Sequence, residues 1–202
     1  MSRIAETLAA LDLPPTHEAK LHQFSQLFHK WNRSINLSAA TTDDEIRSHI
    51  ADSLHVVPHV LKVCSAAGPS EKIRVLDVGS GGGFPCVVIA VSVPDAEVTA
   101  LEPVHKKHAF LRTVARELSL PNLHPRAERL DRHPLRDYDI AVSRATFDLA
   151  DWLIAGLAHV RPGGTVLGFE AVPRSDLPPD TQRYSYRLDE KSRSIVVLQR
   201  PL

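Results

Sequence analysis

Ile73-Arg74-Val75-Leu76-Asp77-Val78-Gly79-Ser80-Gly81-Gly82-Gly83-Phe84-Pro85 is the stretch that decides the fold. Its first half is short and rich in β-branched residues, as a buried strand requires. Its second half is a glycine turn, and the apolar segment 84–93 that follows fits a helix. Strand, glycine turn and helix form the opening unit of an open α/β sheet, whose ligand sits beyond the carboxyl end of the strand. Gly79, Gly81 and Gly83 can take positive φ and leave room for a ligand against the backbone.

Local chemistry separates the ligands that such a turn serves. A dinucleotide fold places a third glycine where helix meets strand, but counting G-x-G-x-x-G from Gly79 puts Phe84 there, followed by Pro85. A Walker-type phosphate loop needs Gly-Lys-Ser/Thr, and the turn holds no lysine. Asp77 stands just before the first glycine, where a carboxylate would repel a phosphate, the more strongly in a low dielectric. S-adenosylmethionine has a sulfonium, an ammonium and a ribose but no phosphate, so an acid beside the turn suits it. A second acid is expected about 20 residues past the glycines, at the end of the next strand, to take the ribose hydroxyls. In the run Glu97-Val98-Thr99-Ala100-Leu101-Glu102 that residue is Glu102. A purely structural alternative has Asp77 capping the turn and Glu102 capping a helix from Val104, but it leaves the glycine cluster unexplained.

The chain has 202 residues, 43% hydrophobic and 24% charged, enough for one globular domain with a proper core. Formal net charge is zero, which gives the whole molecule no basic signature for nucleic acid. The distribution is uneven: residues 105–136 hold eight Lys/Arg against Glu117, Glu128 and Asp131. A local basic surface binds phosphates even in a neutral protein, although a solvated helix face explains the charges equally well. Two cysteines, Cys64 and Cys86, are too few for a disulfide framework or a metal cluster. The eleven histidines are scattered, with His105 and His108 the best helical pair, and no metal is expected. Glu6 and Asp12 replace the basic-then-apolar pattern of a secretory leader, and no apolar run reaches membrane-spanning length. A cytoplasmic monomer without membrane contact is expected.

Residues 1–62 read as a helical cap. Arg3 to Leu11 is a short amphipathic piece. Leu21, Phe24, Leu27, Phe28 and Trp31 repeat at helical spacing, and Ile46, Ile50, Leu54, Val57 and Leu61 do so again in a third helix. Asn32 and Asn36 bracket the end of the second helix, while His49, Asp52 and Ser53 lie near the apolar face of the third. His49 and Asp52, at i,i+3, are placed to hydrogen-bond, and a helix-packing network is favoured over direct catalysis. Residues 63–202 form one compact Rossmann-like unit, entered through a linker at 63–72. Strands are expected at 97–102, 122–127, 138–142 and 165–169, helices at 104–118 and 149–160, and Pro162-Gly163-Gly164 as a turn. Residues 182–188 and 194–199 close the sheet as a hairpin with Asp189-Glu190-Lys191 at its bend. The expected fold is therefore α/β: a doubly wound, mostly parallel, seven-stranded class I methyltransferase sheet with an N-terminal helical cap.

Over roughly residues 20–170 the chain resembles the small-subunit ribosomal RNA guanine-N7 methyltransferases, the glucose-inhibited division protein B family. The resemblance rests on Trp31-Asn32…Asn36-Leu37, His49-Ile50-Ala51-Asp52-Ser53-Leu54 and Leu76 to Pro85, then Lys106-Lys107-His108-Ala109-Phe110-Leu111, Arg126-Ala127-Glu128 and Ser143-Arg144-Ala145. It implies S-adenosylmethionine as cofactor with Gly79 and Phe84 as loop contacts, beside Asp77, Gly81, Gly83 and Glu102 expected from the turn and its spacing. It places Ala127 and Glu128 against the adenine and Arg144, the catalytic candidate, at the methyl end. It implies small-subunit ribosomal RNA as partner, naked or in an assembling subunit, with Lys106, Lys107 and Arg126 on an RNA-facing rim. The chain departs from the family where a basic residue usually precedes the histidine (here Ser48), where a glycine follows Phe-Pro (here Cys86) and where a lysine ends the fifth strand (here Glu170). A diverged methyltransferase with another RNA or small substrate, or a non-catalytic RNA-binding module, is the alternative; a nicotinamide enzyme ranks last because of Phe84.

Overall fold

The structure, a computed structural model, describes residues 2–68, 71–134 and 136–202. β1 (Ile73–Val78) is the third strand of a seven-stranded sheet of order β3-β2-β1-β4-β5-β7-β6. The other strands are β2 (Ala96–Leu101), β3 (Leu123–Arg126), β4 (Tyr138–Ser143), β5 (Val160–Glu170), β6 (Gln182–Leu188) and β7 (Lys191–Gln199). The first five run parallel, and β7 lies antiparallel between β5 and β6. The chain winds outward from β1 to β3 and then returns to the other side of β1. The crevice at the ends of β1 and β4 is thus the switch point of a doubly wound sheet, where such folds bind ligands.

Strand alternation sends Val75, Ile140, Leu167 and Ile195 into one core, and Leu76, Ala141, Val166 and Val196 into the other. The second core is closed by α7 (Leu149–Leu157), whose Trp152 donates its indole N–H to the Leu167 carbonyl at 2.8 Å. The first core takes α5 (Cys86–Ser92), α6 (His105–Glu117) and the N-terminal helices α1 (Arg3–Ala10), α2 (His17–Ile35), α3 (Asp43–Leu54) and α4 (Val57–Ala67). Phe24 and Phe28 of α2 meet Phe84 at 5.2 Å between ring centroids, and Phe110 of α6 at 6.5 and 6.0 Å. These rings fasten the helical layer to the far end of the glycine turn. Aromatic pairs at such separations add about 0.5–1.5 kcal/mol each beyond their buried area.

Three local expectations change. The apolar stripe expected to run from Ile46 to Leu61 is broken after Leu54, because Pro58 has no N–H to offer the Leu54 carbonyl. Pro58 falls instead in the first turn of α4, where the missing donor does no harm. α4 spans residue 62 and continues to Ala67, so the first half of the expected linker is helical; Pro69 and Ser70 of that linker lie outside the described residues. Pro162-Gly163-Gly164 is absorbed into β5, because a register shift between Tyr138 and Ile140 lets the chain bulge and still pair. The hairpin bends at Asp189, φ 55°, and Glu190, leaving Lys191 in the strand. Among the described residues no helix is long and apolar enough to cross a membrane.

Candidate active site

The glycine turn emerges from β1 with Gly79, Gly81 and Gly83 at φ 72°, 51° and 92°. A Cβ on Gly79 would lie 2.3 Å from the Thr146 hydroxyl, so the loop after β4 closes directly over it. A Cβ on Gly81 would meet nothing nearer than the Gly79 carbonyl at 3.7 Å and would project into the crevice. Protein packing therefore demands glycine at the first position. At the second, backbone geometry and open space for a ligand are the demands.

Glu102 reaches across from the end of β2. Its Oε2 accepts the Gly81 N–H at 2.8 Å and its Oε1 the Val104 N–H at 2.8 Å, with the side chain almost wholly buried. The expected juxtaposition of acid and glycine turn is present. Asp77 is placed differently from the sequence expectation: it lies beneath the turn, 1% exposed, and does not form a wall of the crevice. One carboxylate oxygen accepts the Cys86 N–H at 3.3 Å, and the other has no hydrogen-bond partner among the described residues. Burial pushes its carboxyl up to about 6.

Two cavities meet at Gly79, Pro103 and Thr146. One, of about 410 Å³, is walled by Val78, Leu101, Leu130 and Phe147, with Glu128 at its rim. Glu128 is held there by His133, whose Nδ1 lies 2.8 Å from its carboxylate while Nε2 lies 2.8 Å from the Tyr138 hydroxyl. Ala127, beside it, is exposed. The other cavity, of about 420 Å³, is lined by Gly81, Phe84, Glu102, Lys107, Arg144 and Ser38. Lys107 thus reaches the crevice, whereas Lys106 on the first turn of α6 and Arg126 at the end of β3 are exposed outside it.

Arg144 is the most constrained group at the second cavity. Ala145, next in the chain, sits at φ 56°, a left-handed conformation costing a non-glycine residue about 1–2 kcal/mol. The loop aims Arg144 back at α3. Its Nη1 donates to the His49 carbonyl and to Asp52 Oδ2, both at 3.2 Å, and its Nη2 donates to His49 Nδ1 at 2.8 Å. The guanidinium lies 5.3 Å from the Phe84 ring centroid. An arginine only donates, so His49 Nδ1 must be the bare acceptor nitrogen. Burial, reinforced by the Arg144 charge, lowers His49 to about 4, which keeps it neutral in that role. Burial also lowers Arg144, with Asp52 opposing the shift.

Asp52, 3% exposed, accepts in addition from the Tyr186 hydroxyl at 2.8 Å and Arg193 Nη1 at 3.4 Å. The expected His49–Asp52 bond is replaced by Arg144 bridging the two. Tyr186 and Arg193 were not legible as members of this group. They come from the hairpin 134 and 141 residues away, where an alternating strand gives no sign of its buried partner. Among the described residues no group of three or more His, Cys, Asp or Glu is placed to hold a metal.

Residues 17–190 match the family model described as rRNA small subunit methyltransferase G. The chain belongs to that family. It is 37% identical over 162 residues to ribosomal RNA small subunit methyltransferase G of Bordetella avium (strain 197N), covering 79% of this chain and 71% of the relative. It is 33% identical over 198 residues to the protein of that name in Bordetella pertussis (strain Tohama I), covering 96% and 86%. The rRNA small subunit methyltransferase G fold is shared with the CurJ carbon methyltransferase (TM-score 0.60, 15% identity, 77% of this chain and 56% of that one). It is also shared with the S-adenosylmethionine-dependent methyltransferase SibL (TM-score 0.55, 22% identity, 82% and 61%). As a member of the rRNA small subunit methyltransferase G family the chain is an S-adenosylmethionine-dependent methyltransferase, and the glycine turn with Glu102 fits that cofactor.

Proposed function

We propose that this chain transfers a methyl group from S-adenosylmethionine to N7 of a guanine in small-subunit ribosomal RNA. The observation that carries the reading is the pairing of Glu102 with the Gly81 N–H, at the junction of an apolar cavity and a polar one that ends at Arg144. Glu102 takes the ribose hydroxyls, the apolar cavity beside Glu128 and Ala127 takes the adenine, and the cavity under Arg144 and Phe84 takes the methionine end. Asp77, buried below, acts through the turn it supports. Lys106, Lys107 and Arg126 form the cationic rim, and a ribosomal RNA substrate goes with a cytoplasmic setting.

The chemistry needs no nucleophile–base triad. Guanine N7 carries a free lone pair at neutral pH, so no side chain has to remove a proton before attack. Bound cofactor supplies an activated methyl whose carbon–sulfur electrons leave with the sulfur. The protein has to align the two reactants, which contributes about 7–11 kcal/mol at best. Arg144, locked by His49 and Asp52, is a rigid group suited to that task, since a fixed dipole or charge costs no reorganisation during reaction. In an RNA duplex N7 faces a groove too deep and narrow for side chains, so an unpaired or splayed guanine is the substrate.

The test is methyl transfer to ribosomal RNA from a strain lacking its own enzyme, with the modified base mapped. Methylated guanine N7 at one position supports the reading, and unmodified RNA under conditions where a relative works overturns it. Gly79→Asp should abolish cofactor binding by calorimetry, through bulk against Thr146 and added charge.

A further inference from the structure

The cavity under Arg144 does not end at the crevice. It shares Leu37, Ser38 and Lys107 with a groove of about 750 Å³ that runs along the end of α2. His29, Asn32, Arg33 and Asn36 of α2 are spaced i, i+3, i+4 and i+7, which puts them on one helix face, and all four line this groove. That face is opposite in character to the buried stripe of Leu21, Phe24 and Phe28.

The groove is preformed. Asn36 ends α2 in a left-handed conformation, φ 53°, and turns the chain across the helix end. Asn32 then staples the returning loop, donating Nδ2 to the Ala40 carbonyl at 2.6 Å and accepting the Ser38 N–H at 3.0 Å. Its charge is one-sided. Arg33 is exposed and Lys107 half-buried, and neither side chain has an ion pair or hydrogen bond among the described residues. Among the described residues no carboxylate lines it, although at its edge Asp43 contacts His29 at 3.2 Å and Glu45 accepts the Thr41 N–H at 2.8 Å. The adenine-side cavity includes Glu128 and Asp131, and a third cavity between α4 and β6 includes Glu71, Asp139 and Asp180. Many surface arginines elsewhere are neutralised, as Arg129 by Asp131 and Arg174 by Asp148 and Asp176.

We infer that this α2 groove holds the single-stranded RNA next to the target guanine, with Arg33 and Lys107 each on a phosphate and the base entering under Arg144. The inference rests on the proposed ribosomal RNA substrate and adds the path by which it arrives. The helical cap then serves as the RNA-reading element of the enzyme, and the rim residues Lys106 and Arg126, outside the crevice, are secondary.

The experiment uses the full chain with S-adenosylmethionine and an unmodified 16S ribosomal RNA transcript, measuring KM, kcat and RNA affinity across salt concentrations. Each single-strand phosphate contact contributes about −0.7 to the slope of log K against log salt. Arg33→Gln/Lys107→Gln should therefore flatten the slope by about 1.4 and raise KM for RNA about tenfold, with kcat changed less. Arg33→Gln alone, whose side chain lies outside the cofactor cavity, should keep wild-type cofactor affinity by calorimetry, and the Gln pair should keep the wild-type melting temperature, which certifies a folded protein. Arg33→Lys/Lys107→Arg should restore the slope, and Arg187→Glu/Lys191→Glu on the exposed hairpin should leave it unchanged. An unchanged slope and KM in the Gln pair, with the wild type methylating the transcript, overturns the groove alone. A wild type that binds cofactor but neither binds nor methylates the transcript overturns the substrate reading with it.

Discussion

Asp52→Asn is the perturbation that most directly probes how the N-terminal helices are joined to the crevice at the ends of β1 and β4. The change is nearly isosteric and removes one negative charge from a site 3% exposed. It leaves Arg144, whose side chain is 14% exposed, beside Arg193 with no carboxylate between them. Removing one partner of a buried ion pair costs about 3–5 kcal/mol. Arg144 keeps its contacts with His49, and Arg193 reaches solvent, so the lower end, about 3 kcal/mol, applies here. For a protein of this size each kcal/mol lowers the melting temperature by about 2–4 °C, giving a fall of about 6–12 °C. Scanning calorimetry of the purified chain measures this. Arg144→Gln and the double variant complete a cycle whose interaction energy should exceed about 1 kcal/mol. A melting temperature within about 2 °C of wild type, or additive single changes, would refute the claim that Asp52 holds Arg144 in place.

Glu102→Gln replaces a charged acceptor of two backbone N–H groups by a neutral one; with charge-assisted bonds at about 1.5–3 kcal/mol, cofactor affinity by calorimetry should fall roughly 10- to 100-fold. Gly82→Ala should destabilise the protein by about 1–3 kcal/mol, because its Cβ would lie 2.4 Å from the buried Phe28 ring, and chemical denaturation measures the loss. The Asp77 carboxyl is raised from 3.8 to about 6 in the fold, so its contribution is fully present below pH 3.8 and is lost as pH rises through 6. Asp77→Asn should accordingly be more favourable relative to wild type at pH 8 than at pH 4, and a difference in denaturation midpoint that does not vary with pH would contradict the buried placement.

The physical origin of each feature separates what could be read along the chain from what could not. The strand, turn and helix around Gly79 are encoded locally: a β-branched run buries itself, and glycine alone tolerates the positive φ. Glu102 was legible for the same reason, because the length of one helix and one strand fixes how far along the chain the next carboxyl end must fall. Asp77 was misplaced because sequence gives a residue's position in the strand but not the direction its carboxylate faces once α5 packs above it. The helix break at Pro58 is written in the sequence but masked by the apolar repeat through Val57 and Leu61, which continues in phase across the lost hydrogen bond to the Leu54 carbonyl.

The sequence by itself determined the sheet, the glycine turn with Glu102 beside it and the family, because these follow from local conformational preference and a short motif at regular spacing. Only the tertiary structure decided that Asp52 binds Arg144, Tyr186 and Arg193 together, and that a polar face of α2 continues the crevice. The Asp52 contacts join segments more than 90 residues apart, and they offset the cost of burying charge only where the fold brings the partners together.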